Sequence, residues 1–402
     1  MNDIKWGALI PLIGGFPLGA ERAIGKPPET VMSYTGFWAN DSQYMNYQNN
    51  TLGRSIPYIN LTENESYSKK LDIVVATPPC AALSQLNTGK SAEVKGSGCA
   101  KNEWMYQSLT DAIVRNDAEV YICENAPALY TNKGAGVAKR LEEIAHSFGR
   151  SITFYKTSTV YHGIPQARDR TFAFVWKSEH APVLNWFKRD RENFSEYLTH
   201  IKPDMLQQDL IVNPKVANEC YYVFMKHHLN KSDCRSDIHE AGCKTAFQYI
   251  QRKGLLDIAS KWFEETGNES GIKYSTHAKK KFADGLGIWD GSVHIAHEHT
   301  QAWIGRNMND TIHPTEDRSL TIRESLHMMA FPHDFELVGG RKNANLIAQN
   351  VPVCTAADMV SEAIAFINGE RKSSGLKTMR QNNHSERIDT ETKSTATLEE
   401  FM

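Results

Sequence analysis

The apolar run Leu71-Asp72-Ile73-Val74-Val75-Ala76, stopped by Thr77-Pro78-Pro79-Cys80, constrains this 402-residue chain more than any other segment. A short run rich in β-branched residues and closed by prolines reads as a strand buried on both faces, the kind that belongs in a parallel sheet covered by helices. Two prolines fix φ and remove two backbone donors, so the strand ends there and Cys80 is delivered to the carboxyl edge of the sheet. A second run of the same kind, Val120-Tyr121-Ile122-Cys123, leads into Glu124-Asn125-Ala126-Pro127. Open α/β sheets bind ligands outside the carboxyl ends of their strands, which places a thiol and a carboxylate in one cleft. Neither segment decides the matter alone: a free cysteine packs well as a small hydrophobe, and a carboxylate after a strand can simply cap a helix.

A third segment, Tyr161-His162-Gly163-Ile164-Pro165-Gln166-Ala167-Arg168-Asp169-Arg170, runs into the aromatic and β-branched strand signal Thr171-Phe172-Ala173-Phe174-Val175-Trp176. Arginines at alternate positions of a strand point to one face. A solvated, salt-bridging edge is the plain alternative. Near the start, Ala8 to Glu21 has the form of a strand, a glycine turn and a helix start, which brings a nucleotide-like ligand against backbone amides.

In this order the segments resemble the DNA cytosine-5 methyltransferases, which carry a Pro-Cys loop, a Glu-Asn-Val segment, a Gln-x-Arg-x-Arg segment and a late segment that closes the cofactor site. Here these are Pro79-Cys80, Glu124-Asn125-Ala126, Gln166-Ala167-Arg168-Asp169-Arg170 and Ala348-Gln349-Asn350-Val351-Pro352-Val353. Arg318-Ser319-Leu320-Thr321-Ile322-Arg323-Glu324 with Phe331-Pro332 resembles a further motif of the family. The resemblance leaves the middle of the chain unmatched. It implies a Rossmann-like α/β fold that binds S-adenosyl-L-methionine, with an inserted smaller target-recognition domain. The expected division is a catalytic domain over 1–180, recognition over 181–302, a return to the catalytic domain over 303–368 and a disordered tail over 369–402.

The chemistry asks for these residue types. Cytosine C5 is a poor nucleophile, and addition of a thiolate at C6 makes the ring an enamine that can accept a methyl group; the resemblance gives Cys80 that role. Protonation at N3 eases the addition, and the resemblance puts Glu124 there, with a carboxyl whose pKa burial would raise. Arg168 is expected to orient Glu124, and Arg170 to brace the site. The target base is stacked in a duplex and must be extruded. The polar, glycine-rich stretch after the nucleophile reads as a loop that closes on DNA, with Gln85 and Lys90 as contacts and Gln166 as a third.

Cofactor contacts are expected from Ile13, Gly14, Gly15, Phe16, Pro79, Asn350 and Val351. This turn departs from the family's Phe-x-Gly-x-Gly: aligned on Gly14, Ile10 and Leu12 stand where phenylalanine and the first glycine would be. Tyr34 or Thr35 falls where an acidic residue normally grips the ribose, Asn60 stands for a later aspartate, and Asp41 or Asn40 is a possible substitute. A modified sulfonium cofactor, an RNA substrate and a catalytically silent DNA-binding relative stay open as alternatives.

Seven scattered cysteines argue for a reducing compartment without a disulfide framework. No apolar run reaches membrane-spanning length, and the expected place is the cytoplasm of a prokaryote or of a viral host. The net charge of -2 gives no global support for nucleic-acid binding, so cations must be segregated. They gather in the middle of the chain as Lys226, Arg252-Lys253 and Lys279-Lys280-Lys281, among aromatics. Double-stranded DNA is the expected partner, a monomer the expected state, and no metal is expected, since Cys220, Cys234, His239 and Cys243 lack a paired Cys-x-x-Cys.

Overall fold

The computed structural model describes residues 3–79, 83, 99–211, 217–231, 234–243, 245–285, 294–295, 304, 311–316 and 318–389. The chain alternates strands and helices as the apolar runs predict: β1 Trp6–Leu9, α1 Gly15–Ile24, β2 Thr30–Ser33, α2 Trp38–Asn46, β3 Tyr58–Asn60, β4 Ile73–Ala76, α3 Glu103–Val114, β5 Val120–Asn125, α4 Ala135–Ser147, β6 Ser151–Ser158 and β7 Asp169–Trp176. Then come α5 Phe194–Leu198, α6 Ala217–Leu229, α7 Arg235–Glu240, α8 Ala246–Arg252, α9 Leu256–Glu265, α10 Glu269–Ala283, β8 His294–Ile295, β9 Thr311–Ile312, α11 Ile322–His327, α12 Ala344–Ile347, α13 Val353–Ile367, β10 Thr378–Asn382 and β11 Arg387–Asp389.

Nine strands form one sheet in the order β11-β10-β6-β7-β5-β4-β1-β2-β3. β1 to β5 run parallel, and β7 lies antiparallel between β5 and β6. Alternate residues of each strand feed two apolar layers: Trp6, Ala8, Ile73, Val75, Ile122 and Phe174 face one, and Leu9, Val74, Ala76, Tyr121, Cys123 and Val175 the other. Both faces are covered, as buried parallel strands require.

A third apolar cluster is built by α6 to α10, from Cys220 to Ala278, with Ile312 of β9 against it. This smaller helical body begins later than the expected boundary at 181, because Ala181, Leu184, Phe194 and Leu198 are buried in the core of the main sheet. The chain returns through α11, whose start is fixed by a capping box between Thr321 and Glu324.

The expectation of a disordered tail from 369 is corrected. β10 adds in parallel to β6, and β11 pairs back on β10. β10 alternates half-buried and buried residues, with Met379 and Gln381 on the covered face. Gln381 would cost energy there unbonded, but its amide accepts from Leu184 N at 3.1 Å and donates to Leu184 O at 2.7 Å. The part of the expected tail from 390 onward lies outside the described residues.

Candidate active site

β4 ends at Ala76, and Thr77, Pro78 and Pro79 carry the chain past the carboxyl edge. Cys80, Gln85 and Lys90 lie outside the described residues. The neighbouring strand β5 is parallel to β4 and extends further, so that Glu124 and Asn125 are its last two residues. Glu124 is 3 % exposed. The β5–β7 register pairs Glu124 with Phe172 and Asn125 with Thr171, so the preceding residue of β7, Arg170, lies just past the end of β5. Its Nε makes a close ion pair with Glu124 Oε1, and its Nη1 donates to the Asp169 carbonyl at 2.7 Å. Burial pushes the Glu124 carboxyl above the ordinary carboxylate range, against the opposing pull of Arg170 and Arg168. A buried carboxyl shifted in this direction keeps its proton more readily and can give it to a ring nitrogen.

The two arginines exchange the roles expected for them. Arg168 precedes β7, so the alternation of the strand does not reach it; it is 3 % exposed and donates to the carbonyls of Ile304 and Asn350 at 3.0 Å each, and to that of Ala348. It ties the returning chain to the first sheet, while Arg170 is the one ion-paired with Glu124. Gln166 is also corrected: it is fully buried, and its Nε2 donates to the Met328 carbonyl at 2.5 Å. A side chain enclosed in this way braces the α11 segment and does not meet DNA.

On the far side of β4, at the end of β1, lies the β1–α1 turn. Ile10 and Leu12 adopt φ of 51° and 53°, and Gly14 adopts 109°. Left-handed backbone costs a non-glycine residue about 1 kcal/mol or more, and local bonds hold it here: Ile10 N donates to Met32 O at 2.9 Å, and Leu12 N to Asp41 Oδ1 at 3.0 Å. Leu12 therefore keeps a backbone shape that glycine would adopt freely. Asp41, fully buried, also accepts from Tyr58 OH at 3.0 Å, and burial pushes its carboxyl up to about 7. The expectation that Asp41 substitutes at the ribose gives way to a role within the turn.

Asn350 comes to the turn from 335 residues away, its Oδ1 accepting from Gly15 N at 2.7 Å. Gly15 is needed for this approach, since a Cβ there would lie 1.9 Å from the Val351 carbonyl oxygen. Asn350 is fully buried, and its Nδ2 has no hydrogen-bond partner among the described residues, leaving a donor that a ligand oxygen would satisfy. Together with the amides at the start of α1, these groups suit a ligand bearing a carboxylate. The side chains of Ile13 and Phe16 do not line this site: both are buried in the core, and Phe16 packs edge-on against Phe172 at 5.8 Å. Tyr34 turns away, its hydroxyl donating to Asp111 at 2.7 Å, and Asn60 is held by Thr35 at 3.1 Å and Glu63 at 2.7 Å.

Sequence reasoning missed a buried network beside β6. His162 bonds Thr157 through Nε2 and Asp358 through Nδ1, both at 2.8 Å, and Arg189 pairs with the same Asp358. No periodicity signals it, because its members come from four separate segments. A surface cavity lined by Arg22, His162, Lys188, Arg189, Tyr197 and Cys354 lies beside this network and shares no residue with the Glu124 site.

Among curated proteins, the chain is similar to the type II methyltransferase M.NmeDI of Neisseria meningitidis serogroup C, 25% identical over 296 residues that cover 70% of this chain and 61% of that protein. It thus spans less than two thirds of that relative's length. It is also similar to the type II methyltransferase M.Bpa9945I of Bacillus paralicheniformis, 22% identical over 319 residues, with 72% and 70% of the two chains covered. Among solved structures, the methyltransferase EhMeth of Entamoeba histolytica superposes with a TM-score of 0.56 at 11% identity, covering 91% of this chain and 99% of that one. The Dnmt2 methyltransferase of S. pombe gives 0.51 at 11% identity, with the same coverage. These two likenesses carry the fold, an α/β methyltransferase sheet. A family model described as C-5 cytosine-specific DNA methylase matches residues 5–364, from β1 into α13, and so places the chain in that family.

Proposed function

We propose that this chain transfers a methyl group from S-adenosyl-L-methionine to C5 of a cytosine flipped out of duplex DNA, through a covalent bond between Cys80 and C6. One observation carries the reading: Glu124 is buried at the carboxyl end of β5, ion-paired with Arg170, one strand over from the β4 end that leads to Pro79-Cys80. The family's description supports cytosine C5 in DNA as the target.

The described residues fit the cofactor at its methionine end. The α1 amides and Asn350 would hold the carboxylate, with the backbone of Gly14, Gly15 and Val351 shaping the cradle and Pro79 beside it. When bound, S-adenosyl-L-methionine supplies a methyl group on a sulfonium. Glu124 donates a hydrogen bond or proton to N3 of the cytosine, which draws electrons from C6 and opens it to the Cys80 thiolate. Arg170 keeps Glu124 oriented while it gives up and regains that proton. Arg168 holds Ile304, Ala348 and Asn350 in one frame and so keeps the cofactor side in register with the Glu124 side.

The helical body α6–α10 is the proposed recognition element. Lys279 is paired with Asp257 at 2.8 Å, and Arg252 donates to the Ala241 carbonyl, so Lys280 and Lys281 at the end of α10 are better placed for phosphates.

The test is adduct formation. DNA in which 5-fluorocytosine replaces cytosine cannot lose the C5 substituent as a proton, so the covalent intermediate accumulates. With S-adenosyl-L-methionine present, the wild-type protein should gain the mass of the methylated oligonucleotide and Cys80→Ala should not. An adduct of equal yield in Cys80→Ala rejects the mechanism, and a heavier transferred group identifies a modified cofactor.

A further inference from the structure

The strand β10 and the turn after it lie beyond the part of the chain that the family model matches, which ends at residue 364. That turn nevertheless reaches the carboxyl edge that carries Glu124. Asn383, 3 % exposed, fastens it there. Its backbone N donates to Lys156 O at 2.8 Å, its Oδ1 accepts from Tyr155 OH and Phe187 N at 2.9 Å each, and its Nδ2 donates to Thr157 Oγ1 at 3.2 Å and to Phe187 O at 3.1 Å. A side chain whose four hydrogen-bonding directions are met in a buried place has one position available to it.

The next residue, His384, is therefore set against the start of β7. Its Nε2 lies 3.4 Å from Asp169 Oδ1, and its ring meets Tyr161 edge-on with centroids 5.3 Å apart. Lys156 Nζ stands at 4.0 Å from the other Asp169 oxygen. Although burial works against it, His384, Ser158 and Lys156 hold the Asp169 carboxyl below its usual range. Asp169 is bonded in sequence to both functional arginines, and its carbonyl is the acceptor for Arg170 Nη1.

We infer that His384, brought by the C-terminal extension, is a positioning residue for the reaction: by clamping Asp169 it fixes the carbonyl that aims Arg170 at Glu124. His384 touches no reacting atom; it acts through Asp169 and Arg170. The inference rests on the proposed role of Glu124. It predicts an effect on the chemical step and little on the binding of cofactor, whose contacts lie on the far side of β4.

The experiment uses the full chain as wild type, His384→Ala, His384→Lys, Asp169→Asn and the double variant His384→Ala with Asp169→Asn. Methyl transfer from labelled S-adenosyl-L-methionine to unmodified genomic DNA is measured with the melting temperature of each protein. His384→Ala should lower kcat by about tenfold, below the roughly 100-fold cost of a 1 Å misplacement, with the KM for S-adenosyl-L-methionine unchanged. His384→Lys, which places a hydrogen-bond donor against Asp169, should recover most of the rate, and the double variant should be no slower than the slower single one. A kcat for His384→Ala equal to wild type overturns the inference, as does a loss that follows the melting temperature and is not recovered by His384→Lys. A wild-type protein that transfers nothing to DNA overturns the underlying reading instead.

Discussion

The Glu124 end of β5 and the β1–α1 turn stand at two places on one sheet edge and would serve the proposed transfer by different means. In the cleft the chemistry needs particular side chains, and the family's residue types are present: Glu124 and Arg170 in contact, with Pro79-Cys80 following the adjacent strand. In the turn the need is for a backbone shape, and the side chains depart from the family's pattern. Leu12 stands where the family has glycine yet holds φ at 53°, secured by Asp41 from beneath. A proton donor cannot be exchanged for another shape, whereas a left-handed residue can be held by a buried hydrogen bond.

That contrast is open to direct attack. Glu124→Gln should give the largest effect, a kcat lower by about 10²- to 10⁴-fold, the range of a lost general acid, with cofactor affinity by calorimetry nearly unchanged. Retained activity would remove the cleft from the chemistry. The arginine pair separates next. Arg168→Ala abandons three backbone carbonyls and should cost more than about 3 kcal/mol in denaturant unfolding, since bonds from charged groups contribute roughly 1.5–3 kcal/mol each. Arg170→Ala gives up the Glu124 pair and one backbone carbonyl, so it should lose less stability than Arg168→Ala but lose transfer. The reverse pattern would restore the roles expected from sequence.

Gly15→Ala tests the turn as a backbone device. Its Cβ would meet the Val351 carbonyl, so the 350–351 segment must withdraw from α1, and S-adenosyl-L-methionine affinity should fall by about tenfold, or roughly 1.4 kcal/mol. The smallest effect concerns Asp41. Its folded-state pKa is raised to about 7 by burial, above the unfolded value of about 3.9. The folded state thus binds the extra proton between those values, and the stability contributed is complete below the lower one and lost as pH rises through the upper. The melting temperature of wild type should fall relative to Asp41→Asn between pH 5 and pH 8; parallel curves would show that Asp41 is ionised throughout.

Much of this was legible from the chain. β4 and β5 announced themselves because a doubly covered strand must be apolar at every position, and proline stops are unambiguous. The late return of Asn350 to the first turn followed from the family resemblance, and Asn350 Oδ1 does meet Gly15 N. What could not be read has a common cause: long polar side chains go where distant backbone acceptors lie. Arg168 and Arg170 are two residues apart, and nothing local says that the first will find Ile304, Ala348 and Asn350 while the second meets Glu124. Gln166 looks like a DNA contact until Met328 O is seen beside it. β10 hid for a related reason, since its covered face holds Met379 and Gln381, and a strand that buries a glutamine shows no apolar alternation.

The central claim, a Cys80-dependent transfer to cytosine C5, is tested most directly by mass spectrometry of nucleosides from the DNA of cells expressing wild type or Cys80→Ala. Deoxycytidine heavier by one methyl group is expected with wild type and unmodified deoxycytidine with the variant. Unmodified DNA in both, or the same modification in both, would contradict it.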